Sequence, residues 1–235
     1  MIRVKAIRVS PPILMSATAG LTPAERNETA VPSYCHLNPL IRRLFWRRLD
    51  VAVGLSGLRA GESVLDFGTG SGLLLPTLHA TAARVAATDI VIAPARSLAA
   101  AIGVEAELFP SDQFADWVQQ HRSMFDCVFA LDVLEHVEDA ELLTLSSLFR
   151  RLLNERGRLI VSGPTESALY RLGRALAGFR NEYHHRNIFD ISRVLEQEWA
   201  PQAAVFVPRR PLPRAFLVSR YVIPRGSLSQ PTPRA

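Results

Sequence analysis

Ser63-Val64-Leu65-Asp66-Phe67-Gly68-Thr69-Gly70-Ser71-Gly72-Leu73-Leu74 is the stretch on which the fold turns. Ser63 to Phe67 reads as a strand, and the glycines that follow end it abruptly. From Leu73 to Ala82 the pattern becomes helical. A strand, a glycine-rich turn and a helix open an α/β unit, and in open α/β sheets the ligand crevice lies at such carboxyl-terminal strand ends. Glycine lets the chain turn tightly and lets a ligand lie against bare backbone. A pyrophosphate-binding turn needs glycine at the first, third and sixth positions of its motif. Here the sixth position is Leu73 and glycine falls at the fifth, Gly72. Asp66 also ends the strand where a pyrophosphate would be repelled, so a cationic or zwitterionic ligand fits better.

Outward from this turn, strands and helices alternate. Arg84–Thr88, Val104–Phe109, Asp126–Ala130 and Arg158–Ser162 read as strands. Pro94–Ile102, Asp112–Gln119 and Ala140–Leu153 read as helices. Short β-rich runs between helices of this length imply a doubly wound, Rossmann-like α/β fold, a parallel sheet covered on both faces. The ending differs. Glu166–Gly178 and Asp190–Trp199 look helical, then Ala204–Val207 and Ala215–Val222 look like strands. Pro208 to Arg214 is too short for a crossover helix, so this last pair is expected to be an antiparallel hairpin at a sheet edge. Upstream, Leu40, Ile41, Leu44, Phe45 and Leu49 repeat at helical spacing with Arg42, Arg43, Arg47 and Arg48 between them, and Val51–Leu58 reads as a second short helix. Residues 1–32 are expected to be a flexible arm, 33–222 one domain, and 223–235 a flexible tail.

Composition narrows the classes. The 235 residues are 48% apolar and 21% charged, which supports a packed core and excludes wholesale disorder. The net charge is +5, with a single lysine, Lys5, among 27 basic residues. That charge is not spread evenly. Residues 201–235 hold six arginines and no acid, and residues 1–16 add Arg3, Lys5 and Arg8. The remaining body carries 18 basic against 22 acidic residues. An acidic body removes most of the case for a nucleic-acid partner. Cys35 and Cys127 are spaced for neither a disulfide framework nor a zinc site, which suits a reducing, cytoplasmic setting. No apolar run approaches the roughly 18 to 20 residues of a membrane span.

Asp66-x-Gly68-x-Gly70-x-Gly72 resembles motif I of the class I S-adenosylmethionine-dependent methyltransferases. Phe125-Asp126-Cys127-Val128-Phe129-Ala130-Leu131-Asp132-Val133-Leu134-Glu135-His136-Val137 resembles motif IV of the branch that acts on quinone precursors and other small molecules. The resemblance covers roughly residues 38 to 222. It implies a seven-stranded sheet, mostly parallel with a reversed C-terminal hairpin, and S-adenosylmethionine as cofactor. It also implies roles for single residues. Asp66, Gly68, Thr69, Gly70 and Gly72 form the cradle. Asp89, at the end of the second strand, accepts from both ribose hydroxyls, and Ile90 lies on the adenine. Asp112, in Pro110-Ser111-Asp112-Gln113-Phe114, accepts from the exocyclic amine. Backbone carbonyls near Ala130 and Leu131 hold the methionyl ammonium. For Asp89 and Asp112, capping of the following helix is the competing role. Asn154 to Ser162 resembles the family's turn into the fifth strand, without its Pro and one Gly, at the opposite end of the sheet.

Methyl transfer from a sulfonium is an in-line displacement in which placement does most of the work. A base is needed only when the acceptor is protonated. His184 and His185, with Tyr183 beside them, are the candidates for acid–base work or substrate contact; surface or capping histidines are the alternative. Asp132, Glu135 and His136 have a spacing that suits a divalent cation, but packing of a helix start is the preferred role and no metal is expected. Between the fifth strand and the histidines, Leu169, Leu172, Leu176 and Phe179 form an apolar stripe with arginines around it, as in a substrate lid or an ordinary packed helix. The expected activity is transfer of a methyl group to oxygen or carbon of a small-molecule or lipid-like acceptor. A metal-assisted RNA 2′-O-methyltransferase and a non-catalytic cofactor-binding subunit are the alternatives.

Overall fold

In a computed structural model of the chain, residues 5–22, 31–165, 187–209 and 213–224 are described. Five of the strands are β1 (Ser63–Phe67), β2 (Arg84–Asp89), β3 (Glu107–Pro110), β4 (Phe125–Leu131) and β5 (Leu153–Pro164). With β6 (Ala200–Val207) and β7 (Phe216–Val222) they form one seven-stranded sheet in the order β3-β2-β1-β4-β5-β7-β6. β1 to β5 pair in parallel, and β7 runs antiparallel to both β5 and β6. The expected hairpin is present, with β7 inserted between β5 and β6, so β6 takes the edge.

Strand alternation divides the core into two layers. Val64, Cys127, Phe129, Ile160 and Val218 face one layer, and Leu65, Val128, Ala130, Leu159 and Val161 face the other. The first layer is covered by α1 (Pro11–Ala17), α2 (Val31–Tyr34), α3 (Pro39–Ser56), α4 (Leu75–His79) and α5 (Ala93–Ile102). The second is covered by α6 (Phe114–Gln120), α7 (Asp139–Leu152) and α8 (Ile188–Leu195). Burial on both faces explains why β4 is the unbroken apolar run Cys127 to Leu131 rather than an alternating one.

The segment expected to be a flexible arm is in part structural. Ala6, Val9 and Leu14 are buried in the first layer, and Leu14 is inaccessible to solvent. The backbone N–H of Ile7 donates to Thr77 Oγ1 at 2.7 Å, and that of Ala6 donates to Asp50 at 3.0 Å. Ala6 and Val9 precede α1 in irregular backbone, so no secondary-structure period marks them and only their distant partners reveal the burial. The two helices expected over 38–58 are one. Asn38 caps α3 by accepting from the Leu40 N–H at 2.9 Å, and Gly57, at φ 58°, ends it in the left-handed conformation. The helix expected over 73–82 shortens to α4, because Leu73 and Leu74 remain in the turn. The helix expected over Glu166–Gly178 lies outside the described residues, as does the tail from residue 225.

At the amino-terminal end of the sheet a buried arginine fastens α3 in place. Arg158 on β5 pairs with Glu62 at 2.6 Å and donates to the carbonyls of Asp126, at 3.1 Å, and of Ser56. Ser56 is the last residue of α3, so this anchor fixes the helix against the strands whose other ends form the site.

Candidate functional site

β1 and β4 are neighbours, yet the connection from β1 leads to β2 on one side and that from β4 to β5 on the other, and the crevice at this switch point is where an open α/β sheet takes a ligand. Three carboxyl ends meet there. β1 runs into the glycine turn, β2 ends at Asp89 and β4 ends at Leu131. Gly68, Gly70 and Gly72 have φ of 73°, 56° and 78°, a region costly to residues with a Cβ. The N–H groups of Gly68 and Thr69 both donate to the Thr88 carbonyl, at 2.9 and 3.1 Å, which folds the turn back on β2. A Cβ on Gly68 would strike the side chain of Val133. The turn therefore presents bare backbone with Val133 seated against it.

Two carboxylates flank this turn. Asp66 is 4% exposed and accepts from Thr69 Oγ1 at 2.7 Å. Burial raises its pKa to about 7; the Thr69 hydrogen bond opposes that rise and the neighbouring charge of Asp89 adds to it. Asp89 accepts from the Gly70 N–H at 2.7 Å through one oxygen and from the Val91 N–H at 3.1 Å through the other. The capping alternative for Asp89 is not what forms, since the N-cap of α5 is Ile92. Ile90 stands 85% exposed beside it. Asp112 is exposed in the turn after β3, one strand further out, and the N-cap of the helix behind it is Gln113. Ala130 is buried and Leu131 partly so at the end of β4. The residues expected from the sequence to contact a cofactor thus converge from three strands, with Asp112 at the margin. Tyr183, His184 and His185 lie outside the described residues.

The Asp132, Glu135 and His136 run does not gather into one face. Asp132 accepts from Ser162 Oγ at 2.8 Å and pairs with Arg48. Glu135 is buried in a 3-10 turn and His136 is exposed. Among the described residues no group of three His, Cys, Asp or Glu side chains that could hold a metal comes together.

Arg48, Tyr34 and Ser162 escaped the sequence reading. Arg48, one of four arginines set between the apolar positions of its helix, is 3% exposed, and its Nη2 donates to the Tyr34 hydroxyl at 2.7 Å. A signal was present. Phe45, Arg48, Leu49 and Ala52 fall at i, i+3, i+4 and i+7, so Arg48 interrupts the apolar stripe itself. Leu40, which the helical spacing places in the apolar repeat, is exposed.

Comparison with known proteins agrees with this architecture. A family model described as a methyltransferase domain matches residues 39–200. The ubiquinone biosynthesis O-methyltransferase of Pseudoalteromonas translucida is 31% identical over 108 residues, 44% of this chain and 42% of that protein. The protein of the same name from Aromatoleum aromaticum is 36% identical over 112 residues, again 44% and 42% of the two chains. The chain thus spans about two fifths of the length of these curated relatives. Among solved structures, the N-methyltransferase NodS of Bradyrhizobium japonicum, in complex with S-adenosylhomocysteine, superposes with a TM-score of 0.62 at 17% identity, over 86% of this chain and 97% of that one. At that identity the likeness is one of fold.

Proposed function

The chain belongs to the methyltransferase-domain family, and from that premise we propose that it uses S-adenosylmethionine to methylate a small-molecule or lipid-like acceptor at oxygen or carbon. The observation that carries the reading is the pair of carboxylates, Asp66 and Asp89, on adjacent strand tips either side of a turn without side chains. These residues fit the cofactor. Asp89 accepts hydrogen bonds and would hold the ribose hydroxyls, and the bare turn admits a ligand close to backbone. Asp66 supplies negative charge for a cationic ligand, with the carbonyls near Ala130 and Leu131 for the methionyl ammonium. Ile90 and Asp112 are the adenine contacts in this reading. When bound, the cofactor supplies a methyl group already activated on a positive sulfur.

The chain then has to place the acceptor and, where the acceptor is a hydroxyl, take a proton. We assign that proton to His184 or His185, with Tyr183 as a neighbouring contact. The O-methyltransferase names of the curated relatives favour an oxygen acceptor of the quinone-precursor kind. Two free thiols, Cys35 and Cys127, suit a cytoplasmic location. Among the described residues no helix is long and apolar enough to cross a membrane.

The test is calorimetric titration with S-adenosylhomocysteine, followed by labelled-methyl transfer to phenolic and quinol-type acceptors. Binding in the micromolar range with transfer is the expected result. Absence of binding sinks the cofactor assignment. Binding without transfer to any acceptor points to a non-catalytic subunit, and a salt-dependent RNA gel shift points to a nucleic-acid substrate.

Asp66 predicts a pH dependence. Its folded pKa, about 7, lies above the ordinary 3.8, so between those values the native state holds more protons than the unfolded chain. Stability therefore falls as pH rises from about 4 to about 7, and flattens above. Cofactor binding runs the other way, because a cation favours the ionised carboxylate. Affinity for S-adenosylmethionine is expected to rise by up to about tenfold from pH 6 to pH 8, with release of a proton detectable in buffers of different ionisation enthalpy. Asp66→Asn should flatten both trends, and a wild-type affinity independent of pH would reject this role for Asp66.

A further inference from the structure

Asp132, the first residue after β4, has φ 54°. The left-handed conformation is unfavourable for a residue with a Cβ and persists only where the surroundings over-determine it. Here three anchors do so. The Asp132 N–H donates to the Ser162 carbonyl at 2.9 Å, its Oδ1 accepts from Ser162 Oγ at 2.8 Å, and its other carboxylate oxygen pairs with Arg48. The first two come from the neighbouring strand β5. The third comes from α3, far away in sequence.

Arg48 is itself held. Its side chain is 4% exposed, its guanidinium lies 5.5 Å from the centre of the Phe45 ring and 5.0 Å from that of Phe216, and its Nη2 reaches Tyr34 on α2. α3 in turn is fixed by Arg158 at its far end. A buried guanidinium is costly unless paired, so a side chain kept here is tied to the Asp132 carboxylate.

The left-handed turn at Asp132 has a consequence one residue later. It sends Val133 onto Gly68, so closely that Gly68 has no room for a Cβ. A continuous set of contacts thus leads from Tyr34 through Arg48, Asp132 and Val133 to the first glycine of the turn. We propose that Arg48 is a positioning residue for the cofactor cradle: its ion pair with Asp132 fixes the backbone turn that seats Val133 on Gly68. Arg48 acts through Asp132 without touching the cofactor. The inference rests on the reading of the glycine turn as the S-adenosylmethionine site.

The test is S-adenosylhomocysteine affinity, with thermal midpoints measured in parallel, for wild type, Asp132→Asn, Asp132→Ala, Arg48→Met, Arg48→Lys and the double variant Arg48→Met/Asp132→Asn. Asparagine tolerates the left-handed conformation and can still bond Ser162, so Asp132→Asn should lose about 3- to 5-fold and Asp132→Ala about 30-fold. Arg48→Met should lose at least about tenfold, because it leaves a carboxylate unpaired. Arg48→Lys, which keeps the charge, should recover most of that loss, and the double variant should bind no worse than Arg48→Met alone. Asp132→Asn and Asp132→Ala proteins that fold and bind like wild type overturn the proposal, as does equal loss in both. If Arg48→Met fails to fold, the double variant, which leaves neither charge unpaired, decides: lost affinity in it supports the role of the ion pair, and wild-type affinity overturns it. A wild type that binds no S-adenosylhomocysteine removes the functional reading itself, whereas a wild type that binds with indifferent variants removes only this inference.

Discussion

Asp89→Ala is expected to lower S-adenosylhomocysteine affinity by about 100-fold or more. A hydrogen bond to a charged acceptor contributes about 1.5–3 kcal/mol, and a carboxylate at the β2 tip can accept two from a ribose. The structure adds a second loss. The same carboxylate accepts from the Gly70 N–H at 2.7 Å and the Val91 N–H at 3.1 Å, so alanine also releases the centre of the glycine turn. Asp89→Asn separates the two effects. Its amide oxygen can still accept one N–H and hold the turn, but its NH₂ cannot accept from a hydroxyl. Asparagine should therefore leave the thermal midpoint of the unliganded protein within about 2 °C of wild type, which corresponds to about 0.5–1 kcal/mol at most, while losing most of the affinity. Alanine should lower both. Calorimetry and a melting curve on the two variants check this, and an alanine variant with wild-type affinity would remove Asp89 from the ribose.

Gly68→Ala is the second large effect, and it acts on fold and site together. At φ 73° a Cβ costs about 1–2 kcal/mol of backbone strain. The same Cβ collides with Val133, and overpacking of this kind costs about 1–3 kcal/mol more. A loss of about 2–5 kcal/mol should lower the thermal midpoint by about 5–15 °C in a protein of this size. Gly103 provides the control. It has a similar φ of 66° at the end of α5, and a Cβ there meets nothing within 4 Å. Gly103→Ala should show the backbone cost alone and leave cofactor affinity unchanged. Gly68→Ala with Val133→Ala should recover part of the loss, because the collision is gone and the strain remains. If Gly68→Ala and Gly103→Ala were indistinguishable in both melting and binding, the packing of Val133 on the turn would carry no energy.

The residues most legible in the sequence are those whose chemistry is decided by their immediate neighbours. Asp66 to Gly72 could be read because a turn with three left-handed positions needs glycines at fixed offsets, whatever surrounds it. Asp89 could be read because the end of a strand follows from a local apolar run. The C-terminal hairpin followed from a connection too short for a crossover. Arg48, by contrast, sits among four arginines of one helix, where residue type marks none as different and only its phase in the apolar stripe separates it from the others. Asp132 is a residue type that tolerates the left-handed conformation without requiring it, so nothing local announces φ 54°.

By itself, then, the sequence determined the alternation of strand and helix, the glycine turn at the end of β1 and the acid at the end of β2. Each of these is a choice the backbone makes within a few residues, and side-chain type biases it directly. The tertiary structure decided that residues 5–22 pack onto the body, that β7 enters between β5 and β6, and that Arg48 turns inward to Asp132. These depend on partners tens of residues away, because burial and ion pairing are properties of what the fold brings together. Part of the negative charge of the body thereby has a location: two carboxylates beside a turn of bare backbone, and a third paired with a buried arginine.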